Sequence, residues 1–315
     1  MEVESWLETA EQDLKSAEVL YKERIFPNSV FALQQSVEKS YKYFLFLLGL
    51  TEKELKDNIK HDTDKVLPVL IEKNSEKFDK FERNKDILES FGDKLESIVE
   101  ELSKKIAPPA DFKPLWTEEK LDLTKYIKNL VNTNKNKTKL ICGIHDIESK
   151  INSNANKFEE VITELEELDS GTAKIAKLVD IIFNDENGPA VLDFLPTIIE
   201  GVKEIIQNKP QYKDLEMPKK EHLLKALPYL RLAFKLQILL SVAQAKLFLL
   251  SLLVHGHEEQ SRYGKVKDNT SPKDIYTKDS VIIKRMPELL KTQNNLIDTL
   301  KTINQLKNDL AIPSR

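Results

Sequence analysis

The chain of 315 residues contains a single cysteine, Cys142. One thiol closes no intrachain disulfide and builds no thiolate metal cluster, and such usage suits a reducing cytoplasm. Glycine is also scarce, with 8 residues. No Gly-rich phosphate loop with its lysine, no Ser-His-Asp order and no HExxH motif is present, so the common signatures of nucleotide hydrolysis, acyl transfer and zinc proteolysis are missing. Apolar/polar alternation is rare and helix-period segments dominate, which predicts an all-α fold. Arginine is limited to Arg24, Arg83, Arg231, Arg262, Arg285 and Arg315. Because arginine recognises phosphate bidentately where lysine acts as a point charge, each internal arginine is a candidate anchor. Net charge is only -4 with 32% charged residues, so no whole-protein field favours nucleic acid or an acidic membrane.

What is abundant is apolar surface: 40% hydrophobic residues are ample for one large domain or two ordinary ones. The N-terminal "MEVESWLETAEQDL" lacks a basic start and an apolar run, so export is not expected and a cytoplasmic location is. The most hydrophobic stretch, Leu227 to Val254, is broken by Arg231, Lys235, Gln237, Gln244 and Lys246, and is read as a buried helix rather than a membrane span.

Along the chain, a first helix is expected from Ser5 to about Lys22, with Trp6, Leu7, Ala10, Leu14, Ala17 and Leu20 on one side. Pro27 suits the opening of a second helix, about 28 to 48, with Val30, Leu33, Val37, Tyr41, Phe44, Leu45 and Leu48 as core and Gly49 as C-cap. The short link makes these two helices antiparallel neighbours. A third helix is expected from near His61. Residues 75–220 change texture, rich in Lys, Glu, Asn and Asp, with helical stretches between turn-like breaks. A long helix follows from about Lys220 to Tyr263 with a kink at Pro228. A last one runs from about Lys273 to Leu310, bent or broken at Pro287.

Four clusters invite chemistry. In "HGHEE", His255 and His257 are two apart, so on a helix they point to different sides and do not easily share one metal unless the helix has ended at Gly256, and no metal site is assigned. The pair Cys142 and His145 in "CGIHD" resembles a thiol with its base, yet a lone cysteine on an amphipathic helix is ordinarily a core residue. The basic run "NTNKNKTK" lacks aromatics for base stacking, so RNA contact has weak support. The remaining cluster is "FALQQSVEKSYKYFLFLLG", where Gln34, Gln35, Glu38, Lys39 and Lys42 occupy the first half of an otherwise apolar helix and Glu38 with Lys42 makes an i,i+4 pair. These residues are either a polar stripe that pins helices or the lining of a polar ligand site.

That stretch resembles the second helix of HEPN domains, the helical family named for higher eukaryotes and prokaryotes nucleotide-binding; "QQ" followed by "EK" and a further Lys is its distinctive part. The first helix of the family resembles "SWLETAEQDLKSAEVLYKERIF", the third "KHDTDKVLPVL", and "EEQSRYG" resembles the family's Arg-Tyr pair, here Arg262 and Tyr263. The resemblance covers about residues 4–72 and 222–310. It implies an up-and-down helical bundle built from N- and C-terminal parts, 1–72 and 222–315, around an inserted helical region, 73–221.

The resemblance implies two functional branches. One is an RNase using Arg followed four to six residues later by His; none of His61, His145, His222, His255 or His257 has an arginine at that distance upstream. The alternative RNase site would be a displaced trio, His255, Glu259 and Arg262, spaced i, i+4, i+7 on one helical face. The other branch is a non-catalytic component beside a minimal nucleotidyltransferase, as in toxin-antitoxin or defence-like pairs, often as a homodimer. It implies a cleft in which Gln34, Gln35, Glu38, Lys42, Arg262 and Tyr263 hold ATP or another nucleotide, and this branch is the expected one. A purely structural interaction scaffold is the third possibility.

Overall fold

The structure, a computed structural model, describes residues 4–58, 149–182, 220–264 and 270–310. Every regular element among them is helical: α1 (Glu4–Lys22), α2 (Phe26–Leu47), α3 (Glu52–Asn58), α4 (Ala155–Ile182), α5 (Lys220–Val254), a 3-10 turn (His255–His257), α6 (Glu258–Tyr263), α7 (Pro272–Ile275), α8 (Val281–Lys284) and α9 (Met286–Leu310). The expected all-α class is the observed one. The helix expected from His61, the Cys142–His145 pair and the basic run 132–139 lie outside the described residues.

Helices α1 and α2 form an antiparallel hairpin whose seam is made of small residues. Ser29 Oγ donates to the Ala17 carbonyl at 2.8 Å and Ser36 Oγ to the Ala10 carbonyl at 2.7 Å. Both pairs are seven residues apart on each helix, so the short side chains stack along one stripe and let the backbones approach closely. Each buried bond contributes on the order of 1 kcal/mol. Outside that stripe Trp6, Leu7, Leu14, Leu33, Val37, Tyr41 and Phe44 are buried, whereas Leu20 is half-buried. Leu48, expected in the core, is 39% exposed because the helix has already ended, and Leu47 and Leu50 take the buried positions.

Gly49 ends α2 as expected. At φ +95° it donates to the Phe46 carbonyl while Leu50 N–H donates to the Leu45 carbonyl, the two bonds of a Schellman cap. The same cap ends α1 with Arg24 in the left-handed position at φ 59°, a place where sequence alone shows no glycine to announce it. The capping box that opens α3 went unread: Thr51 N–H donates to Glu54 Oε2 at 2.8 Å, from the short signal "TEKE".

Two long expected helices are divided. The helix read as continuous from Lys220 to Tyr263 stops at Val254, and a 3-10 turn over His-Gly-His separates it from α6; Pro228 lies inside α5 without ending it. Gly256 in that turn has the Asn152 amide 3.4 Å from where a Cβ would sit, an ordinary contact distance. The last expected helix divides into α7, α8 and α9, with Pro287 in the first turn of α9, where its missing N–H costs no helical bond.

Contacts divide the chain into two units. The second, Glu72–Pro114 with Ala173–Ile238, contains the end of α4 and the beginning of α5, along which Tyr229 and Phe234 are exposed. The first comprises Met1–Ile71, Leu115–Thr172 and Leu239–Arg315, and so takes in residues 115–172 of the span that the texture change set apart. Here α9 packs against both α1 and α2, and α6 against α2. The fully buried Gln293 of α9 donates through Nε2 to Ser36 Oγ at 2.9 Å and Ser40 Oγ at 2.8 Å, pinning the third helix across the hairpin.

The segment Arg231–Val254 of α5 is long and apolar enough to cross a membrane by length and composition, and just over half of it is buried. Within the first unit Lys246, 2% exposed, reaches Asp169 Oδ1 of α4 at 2.5 Å, and Thr292 of α9 donates to Asp169 Oδ2 at 3.2 Å. A buried charge needs such a partner, and the pair explains why a lysine interrupts this apolar run.

Candidate functional site

The polar half of α2 is an organised network. Gln34 and Glu38 are each 2% exposed. Gln35 Nε2 donates to Gln34 Oε1 at 2.6 Å and to Glu38 Oε2 at 3.4 Å, and Lys42 Nζ donates to Glu38 Oε1 at 2.6 Å. Lys39 extends the ladder to α1, donating to Asp13 Oδ2 at 2.5 Å and to Gln35 Oε1 at 3.4 Å. Lys42 is thereby engaged by Glu38, and its charge compensates a carboxylate that burial would otherwise make costly.

Arg262 of α6 arrives beside this network. Its guanidinium lies 5.3 Å from the Phe31 ring centroid on α2 and 5.0 Å from that of its own neighbour Tyr263. Phe31 precedes Gln34 and Gln35 by one helical turn, so the structure brings the Arg-Tyr pair to the N-terminal side of the "QQSVEK" segment. No carboxylate among the described residues pairs with Arg262. Arg285 is the contrasting case. Its guanidinium is held by Glu159 and by Glu288 at 3.1 Å, contacts that raise its pKa further above the ordinary arginine value. It ties α4 to the start of α9 and leaves little for a ligand. Arg24 occupies the cap between α1 and α2, Arg231 lies on α5 in the second unit, and Arg83 and Arg315 are outside the described residues. Arg262 is thus an exposed internal arginine that has no carboxylate partner among the described residues and lies within cation–π range of two rings.

The start of α6 is held by a pair that sequence inspection missed. His257 Nδ1 lies 2.8 Å from the Tyr276 hydroxyl just beyond α7, their rings meeting edge to face with centroids 5.6 Å apart. Tyr276 is buried, and His257 Nε2 is shielded from solvent with no partner among the described residues. Burial pushes the His257 pKa down to about 4 and pushes the Tyr276 hydroxyl upward. The ring is therefore a neutral packing element at neutral pH. Tyr276 sits in a turn, where no periodicity marks it as core.

At its other end α6 is set by Gly264, φ +71°, where an added Cβ would stand 2.1 Å from the Thr270 carbonyl oxygen. No ordinary side chain fits there, and the positive φ likewise favours glycine. The trio His255, Glu259 and Arg262 was placed on one face of a continuous helix; the 3-10 turn at 255–257 interrupts that face. The side chains of His255 and Glu259 lie outside the described ones. Among the described residues no group of three His, Cys, Asp or Glu side chains could hold a metal.

Residues 3–107 match the family model of the HEPN domain, a third of the chain that includes the α1–α2 hairpin and extends past residue 72. No curated protein and no solved structure matches the chain.

Proposed function

We propose, from the premise that this is a HEPN-domain chain, that it is a nucleotide-binding, non-catalytic component of a nucleotidyltransferase-associated system. In this reading it works in the cytoplasm as a homodimer beside a minimal nucleotidyltransferase, in a toxin-antitoxin or defence-like pair. The block 73–221 elaborates the bundle closed by 1–72 and 222–315.

The observation that supports the ligand is the state of Arg262: exposed, within cation–π range of the Phe31 and Tyr263 rings, and free of carboxylate partners among the described residues. A guanidinium beside rings rather than carboxylates keeps N–H groups for an anion, and a phosphate accepts two parallel bonds from such a fork. Gln34, Gln35, Glu38 and Lys42 then shape and support the α2 side of the site, with Lys42 acting through Glu38. Isothermal titration of the full chain with ATP tests this. Saturable binding is expected, weakened by roughly tenfold or more in Arg262→Ala, as loss of a charge-assisted bond requires. Arg262→Lys is expected to restore little, because a point charge neither stacks nor forks. A wild type that binds no nucleoside triphosphate refutes the reading, and cleavage of RNA abolished by His255→Ala would replace it with the nuclease.

A further inference from the structure

We propose that Tyr263 is a stacking platform for the base of the bound nucleotide, and that the site therefore prefers purine over pyrimidine nucleotides by ring area while remaining blind to which purine it holds. The inference rests on the phosphate reading of Arg262. Tyr263 is the most exposed large hydrophobic side chain among the described residues, at 63%, even with the Arg262 guanidinium beside its ring. An aromatic ring left in water is ordinarily mobile, but this one stands on a corner fixed from both sides. Gly264 N–H closes α6 on the Gln260 carbonyl at 3.0 Å, and the Thr270 carbonyl lies so close to Gly264 that no side chain would fit between them. At the other end of this short helix the His257–Tyr276 contact holds the turn that leads into it.

The result is an aromatic face, presented on a constrained backbone, adjacent in sequence and in space to a cation with no carboxylate partner among the described residues. A ligand that satisfies both carries an anion and a flat ring on one short frame, as a nucleotide does. No hydrogen bond engages the Tyr263 hydroxyl among the described residues, so the ring rather than the oxygen is what the position supplies. Stacking on such a face reads ring size, since every base has a π-face, and a bicyclic purine covers more of it than a pyrimidine.

The test is titration of the wild type, Tyr263→Ala and Tyr263→Phe with ATP, GTP, CTP, UTP and inorganic tripolyphosphate. Expected are similar affinities for ATP and GTP, about threefold or more above CTP and UTP, with tripolyphosphate weakest. Tyr263→Ala should lower purine affinity about tenfold, bringing all four nucleotides near tripolyphosphate, and Tyr263→Phe should leave the wild-type order intact. Equal binding of all five ligands, or a Tyr263→Ala variant with unchanged purine affinity, overturns the platform and leaves the phosphate site at Arg262 standing. Absence of any binding overturns both, and loss of purine preference in Tyr263→Phe assigns the selectivity to the hydroxyl and overturns the ring-area account.

Discussion

Acid should loosen this protein through His257. Its imidazole is held near pKa 4 in the folded chain by burial, while in the unfolded chain it returns to the ordinary 6.5. The folded value lies below the unfolded one, so between these two values the unfolded chain takes up the proton more readily. The contribution is complete above about pH 6.5 and is lost progressively as pH falls toward 4. The gap between the two values corresponds, at about 1.4 kcal/mol per unit, to an upper figure of about 3 kcal/mol, roughly 2 of which are gone by pH 5. Urea unfolding of wild type and His257→Gln at pH 7, 6 and 5 and constant ionic strength measures it. Carboxylates titrate in both proteins and cancel in the difference. The stability difference between the two should shrink as pH falls, by about 2 kcal/mol between pH 7 and pH 5. Parallel pH dependences, or an imidazole resonance titrating near 6.5 in the folded wild type, would refute the buried neutral ring.

Other perturbations probe the supports of the bundle. Lys246→Met strands the Asp169 carboxylate of α4 without its cation and should cost about 3 kcal/mol, most of it recovered when Asp169→Leu is added; urea midpoints decide, and a stable single variant contradicts the buried pair. Gln293→Leu removes the bonds to Ser36 and Ser40 and should cost about 1–2 kcal/mol, with no loss indicating that α9 is held by apolar packing alone. Gly264→Ala forces a Cβ onto the Thr270 carbonyl and should cost about 1–3 kcal/mol, visible as faster amide exchange across 258–264; unchanged exchange there contradicts the close approach.

Much of the helical layout was legible because the signals are local. The 3.6-residue spacing of Trp6, Leu7, Ala10, Leu14 and Ala17 predicts the buried face of α1, and Gly49 and Pro287 mark chain breaks through their own backbone geometry. The grouping of Gln34, Gln35, Glu38 and Lys42 was visible as spacing on one helix, and the structure joins the four by hydrogen bonds. The polarity of Ser29 and Ser36 was visible too, but not its use. A serine that bonds a neighbouring helix's carbonyl looks the same in sequence as one that faces water.

The C-terminal region was harder to read. His-Gly-His is compatible with a continuing helix, and only the structure shows a 3-10 turn there, with the His257 ring against Tyr276. The arginines show the limit most clearly. Arg262 and Arg285 are equivalent as letters, yet Arg285 is held by Glu159, 126 positions away, and by Glu288, while Arg262 meets the ring of Phe31 and no carboxylate among the described residues. Periodicity, caps and breakers act over a few residues and are written in the order of the chain; hence sequence alone determined the helical class, the α1–α2 hairpin and the family resemblance. Burial and charge pairing depend on residues brought together from distant positions, and so only the tertiary structure decided which histidine is neutral, which lysine is buried and which arginine lies against rings rather than described carboxylates.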